Sequence, residues 1–432
     1  VIREAIVYLK DTQSNLSDTL KVTQYPEPKW KLNNDKLFAK YDMTELTHSF
    51  ECNIPFDVVF DEEVEWVKLK ETKSEDGQFK MVFELQPNTG EFFNRTKLRL
   101  ENEVLGLSFP LSLSQMYKTY DGHTVIWKKP TYNDPFASVP DFQRITFNFI
   151  LIGDGFTKEE IESGVYDLYC QEAMEGMESL EPFKTYSERF GFILLHAESA
   201  ESGCTDYNAT YGGPKVVDTR FKCSYDEFGS GMNCDYTAIQ EFVKTSIEGA
   251  GLDYIPTQDV VIVMANGKRY GGVANLTKSG EGVAICPVSE EPFPNNFVQI
   301  LRHEAGGHAF GKLADEYSFG GPIDASTASY LKSWQDAGMY LNVSMSSTEF
   351  PQPWQELKDR GKISDVYVGG FSCSGGVWRS SENSLMKGMD EGFNILSRYL
   401  IYLRMKNLRG EGMDFPSASL DDFLSQDKED AE

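Results

Sequence analysis

LRHEAGGHAFGKLADEY, Leu301 to Tyr317, is the stretch on which the reading of this chain turns. It holds His303 and His308, two of only five histidines in 432 residues, with Glu304 directly after the first. Two imidazoles and a carboxylate on one short helix are what a protein needs to bind zinc and activate a water molecule. The usual spacing is H-E-x-x-H, which puts both rings on one helix face. Here the string is H-E-A-G-G-H, one residue longer. On a regular α-helix, residues five apart point about 140° away from each other, too far to share one metal ion. Either the pattern is accidental or the helix carries a one-residue π-bulge that brings His308 round. Gly306 and Gly307 lie between the two rings, and glycine tolerates such distortion at small steric cost. Bulges of this kind are found mainly at functional sites, so the sequence predicts one here.

No histidine follows His308, and His48, His123 and His196 lie far upstream. A third ligand is therefore expected from a carboxylate just beyond Gly311, where Asp315 and Glu316 stand side by side. His123 reads as a solvated residue of a connecting stretch, and His196 as a satisfied core histidine at the end of an apolar strand.

Composition narrows the function. Acidic side chains outnumber basic ones 67 to 41, a net charge of −26, which argues against nucleic acid or an anionic membrane as partner. With 40% hydrophobic and 13% aromatic residues the chain can bury full cores, and wholesale disorder is excluded. No apolar run reaches the length of a membrane span. The absence of an initiating Met and of a signal-like segment points to a processed or shortened chain, and leaves room for a lipid anchor upstream. Seven cysteines leave at least one unpaired; Cys204, Cys223 and Cys234 could supply one disulfide, and isolated thiols are the plainer reading.

Residues 1–118 read as β, with expected strands at Ala5 to Leu9, Leu20 to Thr23, Phe56 to Phe60, Phe79 to Leu85, Lys97 to Glu101 and Leu107 to Leu113. Arg3 to Gln24 parallels Arg95 to Gln115: Arg, strand, polar turn, strand, Gln. The expected organisation is therefore a partial β-sandwich over 1–45, a sandwich over 46–118, a linker over 119–141 with one strand at Thr124 to Trp127, and a catalytic domain over 142–432. That ending also resembles the small BACON-type sandwich modules at the N-termini of secreted Bacteroidetes enzymes, for which a spacer role is the plainer expectation. From Arg144 the pattern becomes α/β. An apolar strand, Ile145 to Ile152, leads through a turn to the capping box Thr157 to Glu160, which opens a helix expected to run past Tyr169 towards Met177. Further strands are expected at Phe192 to His196, Asp259 to Met264 and Gly282 to Pro287. Helices are expected at Ala238 to Glu248 and Gly392 to Leu408, with Gly311 as a C-cap and an acidic, fraying tail from Ser419.

Several of these stretches resemble one family. His303 to Tyr317 with its G-K-L-A-D-E-Y ending, LIGDGFTKEE at 151–160, Glu181-Pro182-Phe183-Lys184 and NGKRYGG at 266–272 are similar to the bacterial IgA-peptidase family of metallopeptidases, placed with the metzincins. The extra residue between the histidines departs from most members and matches instead the H-E-x-x-G-H of dipeptidyl peptidase III, over six residues only. Ser384-Leu385-Met386, with Met386 standing 78 residues after His308, resembles the metzincin Met-turn. The resemblance implies an α/β (α+β) metzincin-like peptidase domain behind the all-β modules. In it Zn²⁺ is held by His303, His308 and Asp315, with Glu304 as general base. Glu316 would orient a ligand or pair with Arg379, while Tyr317 and Arg379 are candidates for contacting substrate or oxyanion. The Gly282 to Pro287 strand stands where metzincins keep the edge strand that pairs with substrate. The function so implied is a secreted or cell-surface zinc endopeptidase of a Gram-negative bacterium, monomeric and acting on protein. The alternatives are a zinc exopeptidase and an inactive peptidase-fold binding protein, the latter disfavoured by the presence of Glu304.

Overall fold

Along Gln78–Leu85 the even-spaced Phe79, Met81, Phe83 and Leu85 are buried while Gln78, Lys80 and Glu84 face water, the period-two pattern of a strand with one wet face. The computed structural model describes residues 3–429 except 12, 15, 25–26, 33–34, 76, 91–93, 117–123, 133–145, 209, 211–212 and 407–417. It divides into two compact units, Val1–Thr119 and Tyr120–Glu432.

The described residues of the first unit form ten strands: β1 (Arg3–Lys10), β2 (Ser17–Gln24), β3 (Trp30–Lys31), β4 (Lys36–Ala39), β5 (Glu45–Cys52), β6 (Asp57–Phe60), β7 (Val67–Glu75), β8 (Gln78–Leu85), β9 (Asn94–Asn102) and β10 (Leu107–Gln115). Two four-stranded sheets, β3-β5-β8-β7 and β4-β10-β9-β6, share one core. Phe50, Phe79, Met81 and Phe83 come from the first sheet and Leu37, Leu98, Leu100, Leu111 and Leu113 from the second. Strands β3 and β4 precede residue 46 yet pair with β5 and β10, because Leu37 and Ala39 are needed in that core. The hairpin β1–β2 is a separate two-stranded sheet with its side chains exposed. Its closing Gln24 sits opposite Arg3, and Gln115 opposite Asn94 in β9–β10, so the two repeated stretches are hairpins of nearly the same register.

The second unit is built on a six-stranded sheet of order β11-β13-β12-β17-β19-β18. Its strands are β11 (Thr124–Lys128), β12 (Phe147–Asp154), β13 (Phe190–Leu195), β17 (Val260–Ala265), β18 (Val273–Leu276) and β19 (Gly282–Pro287); β14 (Thr205–Asp206), β15 (Ser224–Tyr225) and β16 (Met232–Asn233) form a small sheet between β13 and β17 in sequence. The four central strands are parallel and buried throughout, as expected where both sheet faces are covered. Successive side chains part to opposite faces. Ile150, Ile152, Val261 and Val263 pack on Ile239, Val243 and Ile247 of α3 (Tyr236–Gly249), after α1 (Lys158–Glu162) and α2 (Val165–Glu178). Phe147, Phe149 and Phe190 turn the other way, onto Phe310 at ring-centroid distances of 5.2, 6.0 and 5.3 Å. Phe310 ends a long helical segment, α4 (Phe297–Leu301) running into a π-helix (Arg302–Phe310), so the histidine stretch is anchored to the sheet by its last aromatic ring.

Four expectations change. Gly282 to Pro287 is not an edge strand: β19 is flanked by β17 and β18, and the edge is β18. Gly311 does not adopt a left-handed cap; it is right-handed at φ −69°, and Lys312 takes the left-handed turn at φ 55°. Glycine is required at 311 by closeness, since a Cβ there would meet the Gly307 carbonyl at 2.8 Å and Ile401 at 2.9 Å. The acidic tail does not fray at Ser419: α8 (Ala418–Gln426) follows α5 (Ala325–Gln335), α6 (Gln352–Asp359) and α7 (Ile395–Lys406). Leu420 and Phe423 are buried against α7, Phe423 on Tyr399 and Tyr402, and Asp427 makes a bidentate pair with buried Arg398. Thr157–Glu160 does form a capping box, but the helix after it breaks at left-handed Gly164.

The strand expected within the linker is present as β11, and it pairs antiparallel with β13 at the sheet edge. Lys128 bonds Glu178 at 2.5 Å and the Ser187 carbonyl at 2.7 Å, and the Thr131 and Tyr132 amides both reach the Glu188 carbonyl. His123 lies outside the described residues. A chain starting at residue 120 should therefore fold, while one starting at 140 should lose about 3 kcal/mol or more, at about 1 kcal/mol net per lost hydrogen bond. Denaturant unfolding of the two checks this; equal stability would show that β11 adds nothing.

Candidate metal centre

Asn296 caps the helix, its side chain accepting from the Gln299 amide at 3.0 Å. From Arg302 the ladder shifts to i→i+5 bonding, seen at its end where the Gly311 amide reaches the Gly306 carbonyl at 2.9 Å. In such a turn residues five apart lie on one side, so His303 and His308 face the same space. The distortion spans nine residues rather than one. Gly307 lets it pack: a Cβ there would stand 2.3 Å from the Met386 sulfur, which lies beneath the helix.

The two rings and Asp315 converge. His303 Nε2 to His308 Nε2 is 3.1 Å, His303 Nε2 to Asp315 Oδ1 is 3.1 Å, and His308 Nε2 to Asp315 Oδ1 is 3.2 Å. Each ring is oriented from behind. His303 Nδ1 lies 3.0 Å from the Leu385 carbonyl and His308 Nδ1 2.7 Å from the Leu313 carbonyl. A carbonyl can only accept, so each Nδ1 carries the proton and donates. Both Nε2 lone pairs then point at one another and at a carboxylate oxygen, an arrangement that only a cation or protons can satisfy. Ligand atoms around a tetrahedral zinc, with bonds of about 2.0–2.1 Å, stand about 3.3 Å apart, and the observed triangle fits. Among the described residues, His303, His308 and Asp315 are the one group so disposed.

Electrostatics agree with the geometry. Burial works against charge on His308, but Asp315 overrides it and raises the ring to about 9. Burial likewise opposes charge on Asp315, yet His308 and His303 hold its carboxyl far below the usual range. Glu304 is buried beside the triangle and outside it; burial raises its carboxyl above the ordinary value, with both histidines pulling the other way. Its carboxylate abuts Gly272, where a Cβ would meet Oε1 at 2.9 Å, so the G-G of NGKRYGG leaves room for it.

The remaining expected residues divide. Tyr317 stands near the centre: burial, then the Asp315 and Glu304 carboxylates, push its phenol well up, and its ring stacks on exposed Phe319 at 4.6 Å. Arg379 does not join the site. It is buried and its guanidinium donates to the Val368, Gly369 and Glu382 carbonyls, bracing β21 (Tyr367–Gly370) against β22 (Cys373–Arg379), the middle strand that also pairs with β20 (Val343–Ser344). Neither does it hydrogen-bond Glu316, whose carboxylate takes Ser384, Asn342 and Asn394 instead. His196 pairs with buried Asp167 at 3.0 Å, away from the triangle. Sequence reasoning missed the Leu385 and Leu313 carbonyls, which as backbone groups leave no sequence signal, and Asn342, a single polar residue in an unremarkable run.

Residues 137–363, more than half of the chain, match the family described as IgA Peptidase M64. No curated protein matches. Likeness to solved structures is low. A Dpr2 Ig1-Ig2 complex with DIP-Theta Ig1-Ig3 shares 12% identity at TM-score 0.17, covering 26% of this chain and 41% of that one. Titin domain M7 shares 13% at TM-score 0.15, covering 21% and 94%. A Bacteroides ovatus GH5 xyloglucanase with a XXXG heptasaccharide shares 10% at TM-score 0.18, covering 55% and 46%. The chain spans less than half the length of the first of these, and likeness at this level says nothing of its fold or activity. The histidine stretch lies inside the matched segment, and the chain belongs to the IgA peptidase M64 family.

Proposed function

We propose that the protein is a zinc-dependent endopeptidase of metzincin-like design that cleaves extracellular protein. The observation that carries this is the triangle of His303 Nε2, His308 Nε2 and Asp315 Oδ1 with the buried Glu304 carboxylate beside it. Those three atoms would hold the zinc, and the bound ion supplies Lewis acidity and a water made acidic enough to lose its proton near neutral pH. Glu304 receives that proton at its carboxylate and delivers it to the leaving amine; its raised affinity for protons suits both halves of the task. Met386, buried beneath Gly307, is the counterpart of the Met-turn. Among the described residues strand β18 has a strand neighbour on one side only, and an extended peptide laid along its other side would run beside the metal helix. Tyr317 is the side chain nearest in character to an oxyanion donor. The N-terminal unit serves as a spacer. The Cys223–Cys234 disulfide supports an oxidising compartment, as exported proteins have; Cys52, Cys170, Cys204, Cys286 and Cys373 are buried thiols.

The first test is digestion of internally quenched peptides blocked at both ends. Cleavage that chelator abolishes and zinc restores is expected; cleavage confined to free N-termini would make the enzyme an exopeptidase. Glu304→Gln should keep one equivalent of zinc by elemental analysis and lose activity about 10²–10⁴-fold. Asp315→Ala should lose the metal, and a variant that kept it fully would remove Asp315 from the ligand set.

Zinc loading should also depend on pH. His308 is raised to about 9 in the metal-free protein, above the ordinary histidine value of about 6.5. Its protonated form stabilises the metal-free fold fully below about 6.5, and that contribution disappears as pH rises through about 9. Zinc needs the neutral ring, so affinity should climb with pH up to about 9, with release of about one proton at pH 7–8. Calorimetry in buffers of different ionisation enthalpy measures that proton; a value near zero would contradict the assignment of His308.

A further inference from the structure

Glu316 is completely buried, one residue from the metal carboxylate, yet its own carboxylate is absent from the ligand triangle. A carboxylate in such a place costs several kcal/mol unless hydrogen bonds replace its water. Three side chains do so: the Ser384 hydroxyl at 2.5 Å, the Asn342 amide at 2.9 Å and the Asn394 amide at 3.2 Å. Among the described residues it makes no ion pair within 4.0 Å.

The donor roles of these partners are set elsewhere. Asn342 Oδ1 accepts from the Ala314 amide at 2.8 Å while its Nδ2 also reaches the Ala314 carbonyl at 2.8 Å. Asn394 Oδ1 accepts from the Ser397 amide at 2.8 Å, at the start of α7. Both amides therefore present N–H to Glu316, and the position demands a group that accepts only. A carboxylate offers two acceptor oxygens there; a glutamine would turn an N–H towards the Asn394 N–H, which reaches both oxygens.

What the carboxylate holds is the turn that orients a ligand. Its own backbone amide donates to the Met386 carbonyl at 2.7 Å, and its side chain takes the Ser384 hydroxyl. Glu316 thus grips the Ser384–Met386 turn at both ends. Between them, the Leu385 carbonyl receives His303 Nδ1 and so aims His303 Nε2 at the metal position. On the other side Asn342, gripping Ala314 and Glu316 together, fixes the backbone that carries Asp315.

We infer that Glu316 is a positioning residue: its buried carboxylate locks the Ser384–Met386 turn against the Ala314–Glu316 segment, and so sets the orientation of His303 and Asp315 towards the metal. This rests on reading His303, His308 and Asp315 as the metal centre. Loss of such supporting contacts typically weakens metal binding 10–100-fold.

The test is zinc affinity by competition with a chromophoric chelator, read alongside thermal stability of the metal-free protein. Glu316→Gln, nearly isosteric, should weaken zinc binding about 10–100-fold and lower kcat with KM little changed. Ser384→Ala, which cuts only the link to the turn, should weaken it in the same direction by a smaller factor. Leu357→Ala, a buried change in α6 outside this network, serves as the control: it should lower stability and leave zinc affinity alone. If Glu316→Gln does not fold, Ser384→Ala decides. Zinc affinity within twofold of wild type in both variants, or in Ser384→Ala alone where the other is lost, overturns the inference. So would an equal loss of affinity in Leu357→Ala, since stability alone would then account for it. Wild-type protein that binds no zinc fails the metal reading itself, a result distinct from these.

Discussion

Two histidines five residues apart must face one point in space, and a regular α-helix forbids it. The π-helix that reconciles the two widens every turn from Arg302 to Phe310 and weakens the fit of the helix to a neighbour, so the neighbours must be built to match. Met386 enters directly against Gly307, and Ile401 of α7 closes on Gly311. Phe310 fixes the far end in a nest of phenylalanines on the sheet. The metal helix is held in its unusual winding by packing on three sides. Its own hydrogen bonds would favour an ordinary α-helix.

The electrostatic side of the site follows the same logic. Without a cation, two imidazole lone pairs and a carboxylate oxygen sit within 3.2 Å of one another. The protein meets this by leaving a proton on His308, which is why its affinity for protons is raised. The backbone carbonyls of Leu385 and Leu313 hold both rings in this orientation against rotation. Glu304 is buried beside the triangle and excluded from it.

Those carbonyls tie distant stretches together. Leu313 lies just past the helix, but Leu385 comes 82 residues after His303. Glu316, Asn342, Ser384 and Asn394 gather four loops around one buried carboxylate to hold that long-range contact in place. The sheet meanwhile positions β18 as the edge beside the helix, leaving β19 fully covered.

The sequence by itself determined which groups the candidate site gathers: His303, Glu304 and His308 in one short run, with Gly306 and Gly307 to permit an unusual helix and an acidic pair just beyond. It also determined most strands of both units and the central buried strands of the second, because alternation and apolar runs are local patterns. Tertiary structure decided the rest. That Asp315 meets the histidines while Glu316 turns to Ser384 depends on a left-handed turn at Lys312 and on Asn342, which no local pattern announces. That Arg379 braces carbonyls rather than facing the site depends on the pairing of β21 with β22. The strand at Thr124 to Trp127 was legible from its local pattern, whereas its pairing with β13 was not. The frayed reading of Ala418–Gln426 failed because it is a short segment with weak local preference, held by contacts to α7. Burial against a distant surface is invisible to a reading that sees only neighbours along the chain.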